Sequence, residues 1–377
     1  MPKKSNKPET DHTVPSNRPA TLDDLGKILG LSTRAVSQAL HDRPGTVKVS
    51  EKTKARVVAL AKSMGYRPNN AAKSLTTGRT GMFGILAGFG KMHIRAMHLA
   101  TTVEVFRSHG VTPVVFNAGN TSEEDLEFSM TSLINARVDG VVLLQRHSSF
   151  QESHVAELRK YGMSVVQVGS MEGLEETSHY SVDWSHAYRP ALMHLLEQGH
   201  KRIGGLVANQ KALDKRRTGQ PARQRTRSSM LEAANEARNL GHNFHFQFYD
   251  YDSDIAVPDD LHPLYHIGYV GMKEIIRRNE VPDALMCQVD GFSFGAMRAC
   301  KEAGLRIPED VALTGYGNDP GSSATYIPLT TIEEPFQEMC EKAVVELLEA
   351  TRVNRQTERK TFLFPTRLVV RASSLRV

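Results

Sequence analysis

Residues 21–40 read TLDDLGKILGLSTRAVSQAL, and this stretch decides what the first part of the chain is. Thr21 opens a T-x-x-D capping pattern with Asp24, and Asp23 and Asp24 put negative charge where a helix N-terminus favours it. Leu22, Leu25, Ile28 and Leu29 then fall on one face, and Gly30 supplies the residue that ends a helix. Ser32 caps a second helix, in which Val36, Ala39 and Leu40 form the apolar stripe with Ala35 at its margin. Thr33, Arg34, Ser37 and Gln38 are left on the opposite face. Two short helices joined by a Gly-containing turn make a helix-turn-helix, whose second helix presents its N-terminal end to the DNA major groove. The residue types suit that groove: Arg donates two bonds to guanine, Gln pairs with adenine, and Ser or Thr bonds base edges or phosphate. For an isolated amphipathic helix, a merely solvated polar face is an equally good reading.

Charge distribution separates the two readings. Residues 1–80 hold 15 Lys or Arg against 6 Asp or Glu, whereas the other 297 residues hold 32 against 36. A basic head on a mildly acidic body points to a polyanionic partner for the head. Ser50 caps a third helix predicted through Met64, with Val57, Leu60, Ala61 and Met64 apolar and Gly65 as its stop. The three short helices are expected to share one small core.

Residues 66–81 read YRPNNAAKSLTTGRTG. Pro68 holds Arg67 extended, and AAKSL is too short to persist as a helix by itself in water. With this order in place, residues 20–80 resemble the headpiece of the lactose-repressor and galactose-repressor (LacI/GalR) family of transcriptional regulators. The resemblance implies a hinge helix that folds on DNA, with Leu75 wedged between base pairs in the minor groove and Asn69 and Ala72 beside it, a known way to kink a duplex. It also implies DNA contacts from Thr21, Ser32, Thr33, Arg34, Ser37, Gln38 and His41. The chain departs from the family pattern at Gln38, where Arg is usual, at His41, where Asn is usual, and in a longer HDRPGTVKVS loop. These departures bear on which operator is read.

From Gly81 the pattern changes to short apolar runs alternating with helical stretches: GILAGF, VTPVVFN, VDGVVLL, MSVVQVG, RIGGLVA, ALMCQV and VALTGYG. Such runs imply parallel strands buried on both faces, the α/β class, with ligands beyond the carboxyl ends of the strands. VDGVVLL (138–144), YSVDW (180–184), LLEQGHKRIGGL (195–206), the 287–320 segment, LTTIEEPFQEM (329–339) and FPTRLVVRASS (364–374) again resemble the same family in order and spacing. The implied fold is a small all-α headpiece followed by a two-lobed, periplasmic-binding-protein-like body of parallel sheets flanked by helices. The expected divisions are 1–19 a flexible arm, 20–66 the DNA-binding headpiece, 67–80 the hinge helix and linker, and 81–377 the effector-binding and dimerisation body.

The resemblance also implies a sugar or sugar-like effector. Asp290 stands where the family has an Asp that bonds effector hydroxyls, although Val289 replaces the usual Asn before it. A ligand-contacting Arg falls at Arg225 or Arg227, and the spacing leaves the choice open. Phe89 is a candidate for stacking on an apolar sugar face. Gly169 stands where Asp is frequent. The segment from Lys211 to Arg227 is crowded with Lys and Arg; it reads either as an attractor for a sugar acid or phosphate or as a solvated insertion.

An enzyme finds little support. The sequence has no G-x-S-x-G, G-x-x-x-x-G-K-[ST], H-E-x-x-H or C-x-x-C, and its 15 His are scattered. Cys287, Cys300 and Cys340 are widely spaced, which fits buried free thiols rather than disulfides or a zinc site. No cofactor and no metal are expected. No apolar run reaches the length of a spanning helix and the first residues lack a signal-like apolar segment, so the expected setting is the cytoplasm with no membrane partner. The expected partners are a double-stranded DNA operator, a small-molecule effector and a second copy of the chain.

Overall fold

The computed structural model describes residues 18–41, 49–67, 78–88, 93–118, 122–144, 149–169, 173–208, 220–251, 262–353, 355–357 and 359–376. The chain divides into two compact units, Met1–Gly78 and Arg79–Val377.

In the first unit, helix α1 (Leu22–Leu29) begins with a complete capping box: Thr21 Oγ1 accepts the Asp24 N–H, and the Asp24 carboxylate accepts the Thr21 N–H. It ends at Gly30, whose φ of 67° is the left-handed conformation that closes a helix at least cost with glycine. Helix α2 (Thr33–His41) follows, with Ser32 Oγ accepting the Ala35 N–H at 3.2 Å. Helix α3 (Glu51–Ser63) is capped by Ser50 and stops one residue before the sequence reading, with Met64 as its C-cap. Leu25, Val36, Ala39, Val57 and Ala61 are the buried centre. Leu22, Leu29, Leu40, Leu60 and Met64 pack around it as expected, joined by Leu31, Val49 and Tyr66; Ile28 is half-buried outside this cluster.

The second unit is built on two six-stranded sheets. The first lobe contains β1 (Phe83–Ala87), α4 (His93–Ser108), β2 (Val114–Asn117), α5 (Glu123–Ala136), β3 (Gly140–Leu144), α6 (Glu152–Lys160), β4 (Ser164–Val168) and β5 (Ser178–Val182). The second contains α7 (Arg189–Glu197), β6 (Arg202–Ala208), α8 (Gln220–Asn239), β7 (His245–Tyr251), α9 (Pro263–Arg277), β8 (Ala284–Cys287), α10 (Asp290–Glu302), β9 (Ala312–Tyr316), α11 (Gly321–Ala324) and β10 (Thr330–Glu333). The chain then returns through α12 (Phe336–Arg352), which packs on β3, β4 and β5, into β11 (Thr361–Phe364) of the first sheet. It crosses once more to β12 (Arg367–Val369) of the second. The sheet orders are β11-β5-β4-β3-β1-β2 and β12-β10-β9-β8-β6-β7. All pairings are parallel except β10 with β12.

Strands β1, β3, β4, β8 and β9 are buried along their whole length, as continuous apolar runs between helical layers should be. The VVFN run departs from that expectation. It forms edge strand β2, with Val114 and Val115 37% and 40% exposed. The apolar-run criterion also passes over β5, β7, β10, β11 and β12. In β5, buried polar side chains find tertiary partners: Ser178 Oγ and Tyr180 Oη donate to Glu346, and His179 Nε2 bonds the Gly169 carbonyl at 3.0 Å.

Helix α10, which delivers Asp290, is locked against α9 by glycines. A Cβ at Gly295 would lie 2.0 Å from the Tyr265 carbonyl oxygen and 2.4 Å from the Tyr269 nitrogen, and one at Gly268 would lie 2.0 Å from the Phe292 oxygen. Both obstacles are backbone, so neither can rotate away. Gly295→Ala is therefore expected to destabilise the body by about 3 kcal/mol, at the upper end of overpacking costs. The urea midpoint of the body transition measures it, and a midpoint unchanged from wild type would show that the helices separate freely.

Candidate nucleic-acid interface and ligand cleft

On α2 the packing and the polar face separate cleanly. Val36 and Ala39 are buried, Ser32, Thr33 and Arg34 are exposed, and Ser37 and Gln38 are half-buried beside them. The helix period produces this division, because positions 36, 39 and 40 turn to the core while 33, 34, 37 and 38 share the other side. Nearby acids are paired: Asp24 with Arg18 at 2.8 Å, and Asp23 with Lys27 at 2.7 Å. Arg18 and Thr21 hold the Asp24 carboxyl well below the usual carboxylate range.

Thr21 caps α1. Its hydroxyl donates to Asp24 Oδ2 at 2.7 Å while accepting the Asp24 N–H, so in this arrangement its proton is not offered to phosphate. His41 closes α2, and its side chain lies outside the described residues. Asn69, Ala72 and Leu75 of the hinge, and Phe89 of the body, also lie outside them.

The second site is assembled at the carboxyl ends of the parallel strands. Trp184 follows β5, Gln288 follows β8, Tyr316 closes β9 and Glu334 follows β10. Three rings stack in series: Trp184 on Tyr316 at 5.5 Å between centroids, and Tyr316 on Tyr188 at 5.2 Å. The Tyr316 hydroxyl donates to Glu334 Oε1 at 2.7 Å, and the Tyr188 hydroxyl donates to the Gln288 carbonyl at 2.7 Å. Burial raises the pKa of both phenols, with the Glu334 charge adding to the effect at Tyr316. Burial also raises the Glu334 carboxyl, against the opposing bond from Tyr316. Among the described residues, the buried Trp184 Nε1 has no hydrogen-bond acceptor.

Arg225 and Arg227 separate here. The Arg225 guanidinium lies 5.9 Å from the Trp184 ring centre, and its charge acts on Tyr316. Arg227 instead bonds Asp250 at 2.5 Å and covers the Phe248 ring at 4.1 Å, toward β7. Geometry thus brings Arg225, and not Arg227, to the ring stack.

Asp290 is only 3% exposed, and its carboxylate already serves three donors. Oδ2 accepts the Asp319 N–H at 2.7 Å and the Ser322 hydroxyl at 2.8 Å, while Oδ1 accepts the Thr331 hydroxyl at 2.5 Å. Burial raises its pKa despite all three bonds. A carboxylate has about four acceptor positions, so little of this one remains for a ligand. Asp290 fixes the cleft's walls rather than lying open in it.

The first lobe contributes Arg95, which donates to the Gly88 carbonyl at 2.8 Å, and His98, whose ring stacks 3.5 Å from Phe336. Burial, with Arg95 adding to it, pushes the His98 pKa down to about 3, so this ring is uncharged near neutral pH. Sequence reasoning missed Trp184, Tyr188, Tyr316 and Glu334. For Trp184, Tyr316 and Glu334 the available signal was position, at or just past a strand end in YSVDW, TGYG and TIEE; Tyr188, six residues past β5, carried none. Elsewhere, a groove of about 360 Å³ lined by Tyr180, Glu341, Lys342, Glu346 and Phe362 holds none of the expected site residues. Among the described residues there is no group of three His, Cys, Asp or Glu placed to hold a metal, and the three cysteines are free and buried. No described helix is long and apolar enough to cross a membrane.

Two family models match the body: a periplasmic binding protein-like domain over residues 192–374, and the periplasmic binding proteins and sugar binding domain of LacI family over residues 95–231. The chain is 28% identical over 355 residues to the HTH-type transcriptional repressor PurR of Serratia proteamaculans, covering 94% of this chain and 96% of that protein. It is equally similar to PurR of Photorhabdus laumondii, with 94% and 96% covered. In fold it is similar to the lac repressor dimer bound to operator and the anti-inducer ONPF, with a TM-score of 0.71 at 20% identity, covering 95% of this chain and 100% of that one. It is also similar to the transcriptional regulator CelR in complex with cellobiose, with a TM-score of 0.60 at 22% identity over 94% and 99%.

Two substitutions test the local assignments. Thr21→Ala removes the capping box and is expected to cost the headpiece about 1 kcal/mol, read by helix-band circular dichroism during thermal unfolding; no loss of helix stability would return Thr21 to a surface role. Asp290→Asn places an NH2 group against hydrogen-bond donors in a dry site and should cost about 2 to 3 kcal/mol, measured by urea denaturation. A variant as stable as wild type would show that the carboxylate does not hold the cleft.

Proposed function

We propose, for a chain that belongs to the LacI/GalR family of DNA-binding transcriptional repressors, that its activity is controlled by a small sugar or sugar-derived effector held between the two lobes of the body. The observation that carries this reading is the Trp184, Tyr316 and Arg225 cluster at the strand ends. Aromatic faces suit the apolar faces of a sugar ring, and a guanidinium donates in its own plane to ligand oxygens. The match to a family described as containing a sugar binding domain, and the similarity in fold to a regulator complexed with cellobiose, support the same class.

Arg225 is the arginine assigned to the effector, because Arg227 is engaged by Asp250. Asp290 acts chiefly by positioning, with at most one acceptor position for a ligand hydroxyl. Phe89 is retained as a stacking residue.

On the DNA side, Thr33, Arg34, Ser37 and Gln38 are assigned to the major groove, with Ser32 and His41 at the ends of that face. A homodimer would set two such helices about 34 Å apart, one turn of duplex. Asn69, Ala72 and Leu75 of each chain meet at the centre, where Leu75 opens the minor groove. Residues 1–19, 20–66, 67–80 and 81–377 then act as arm, reader, hinge and sensor. Because effector and DNA act through one two-state element, each changes the other's affinity by the same factor. No catalytic step and no cofactor enter this scheme.

Arg34→Ala and Gln38→Ala are expected to change preference at particular operator positions by about 1 to 3 kcal/mol, measured by selection from a random DNA pool followed by competition binding. Equal losses on all sequences would assign these side chains to phosphate instead. In the same assay Arg225→Ala should abolish the response of DNA binding to the effector while Arg227→Ala leaves it; the reverse result would exchange the two arginines.

A further inference from the structure

Glu334 stands apart from the other acids of the second unit. It follows the last strand of the parallel series, β10, and its carboxyl receives the Tyr316 hydroxyl at 2.7 Å. Among the described residues it has no ion-pair partner, whereas its neighbour Glu333 is paired with Arg367. Burial disfavours its charge. A half-buried acid with one phenol donor retains acceptor capacity on its second oxygen. The same site holds an unused donor, a buried Trp184 N–H without an acceptor among the described residues. The stacked Tyr316 ring joins the two.

A ligand that uses both groups presents a donor to Glu334 and an acceptor to Trp184, with Arg225 strengthening the acceptor end. A carboxylate or phosphate at the Glu334 end would meet a like charge in a half-buried site, an arrangement that disfavours binding. Resting on the effector-cleft reading above, we propose that Glu334 is its specificity-determining residue: it takes a hydroxyl or amino donor from a neutral or cationic ligand and excludes ligands that bring an anion to that end. This chooses among the effector chemistries that the Lys- and Arg-rich 211–227 segment leaves open, and it chooses against sugar acids and phosphates.

The test uses the full chain and its single tryptophan, Trp184, whose emission reports the site directly. Glu334→Gln keeps an oxygen to accept the Tyr316 hydroxyl and removes the charge. Quenching by iodide, divided by quenching by neutral acrylamide, is measured at pH 8 in both proteins. The ratio is expected to rise about threefold in the variant, since a nearby like charge no longer repels iodide; an unchanged ratio overturns the proposal. Glucose, galactose, their 2-amino derivatives, their aldonic acids and their 6-phosphates are then titrated against Trp184 emission. A neutral or amino sugar that binds wild type should lose about tenfold in affinity in Glu334→Gln, the loss expected for one charge-assisted bond. An acid or phosphate that binds wild type more tightly than its neutral parent overturns the assignment. A sugar that binds both proteins equally, with an unchanged iodide ratio, removes Glu334 and leaves the effector cleft standing. A raised iodide ratio with no response to any sugar supports the charge selectivity and counts against the sugar class.

Discussion

The buried carboxylate of Asp290 holds the second lobe in register. It starts α10 and collects donors from two other places in the chain: the Asp319 N–H and Ser322 hydroxyl after β9, and the Thr331 hydroxyl within β10. Burial works against its charge, and the three bonds are what make a carboxyl group tolerable there. The demand spreads outward. A side chain at Gly315 would put its Cβ 2.1 Å from Asp290 Oδ1, so the residue before Tyr316 must be glycine. Tyr316 and Glu334 emerge from strands that this knot ties together, and their 2.7 Å bond follows from that alignment.

The headpiece solves a different problem, that of a small core. Five fully or nearly fully buried side chains supply its centre, so helix ends carry unusual weight. Capping side chains at Thr21, Ser32 and Ser50 satisfy amide groups that three short helices would otherwise leave open. The core takes the 35, 36, 39 and 40 side of α2 and leaves Ser32, Thr33 and Arg34 exposed, positions that the proposed DNA reading uses.

How much of this the sequence disclosed follows from how local each signal is. The helix-turn-helix was readable because caps, stripe and turn residue all lie within 20 residues. Strands β1, β3, β4, β8 and β9 were readable because burial on both faces demands continuous apolar runs. Strand β5 was hidden because Ser178 and His179 look like loop residues until Gly169 and, far along the chain, Glu346 meet them. The site was harder still. Resemblance pointed to Asp290, but its partners at Asp319, Ser322 and Thr331 come from later turns and strands that no local pattern announces. The Arg225 and Arg227 alternatives, two residues apart, part only when Trp184 and Asp250 are placed beside them.

Trp184 and Glu334 also occupy the covalent paths between the lobes. Trp184 lies on the segment leaving β5 of the first sheet for α7 and the second, and Glu334 on the segment leaving β10 of the second sheet for α12, which packs on the first. In the proposed regulation, a ligand bonded to both would grip the crossovers themselves, where small changes in backbone angle alter the closure of one lobe on the other. The entry of the chain into the body responds to only one side of that change. The Thr80 and Gly81 N–H groups are held by the Asp139 carboxylate, at 2.9 and 2.7 Å, just before β3 of the first lobe. Rotation of the first lobe would therefore carry the start of the body with it, while the second lobe moves without that attachment. In the proposed regulation, ligand reading and its transmission toward residue 79 would need no long relay of side chains, because Trp184 and Glu334 already lie on the segments that join the lobes.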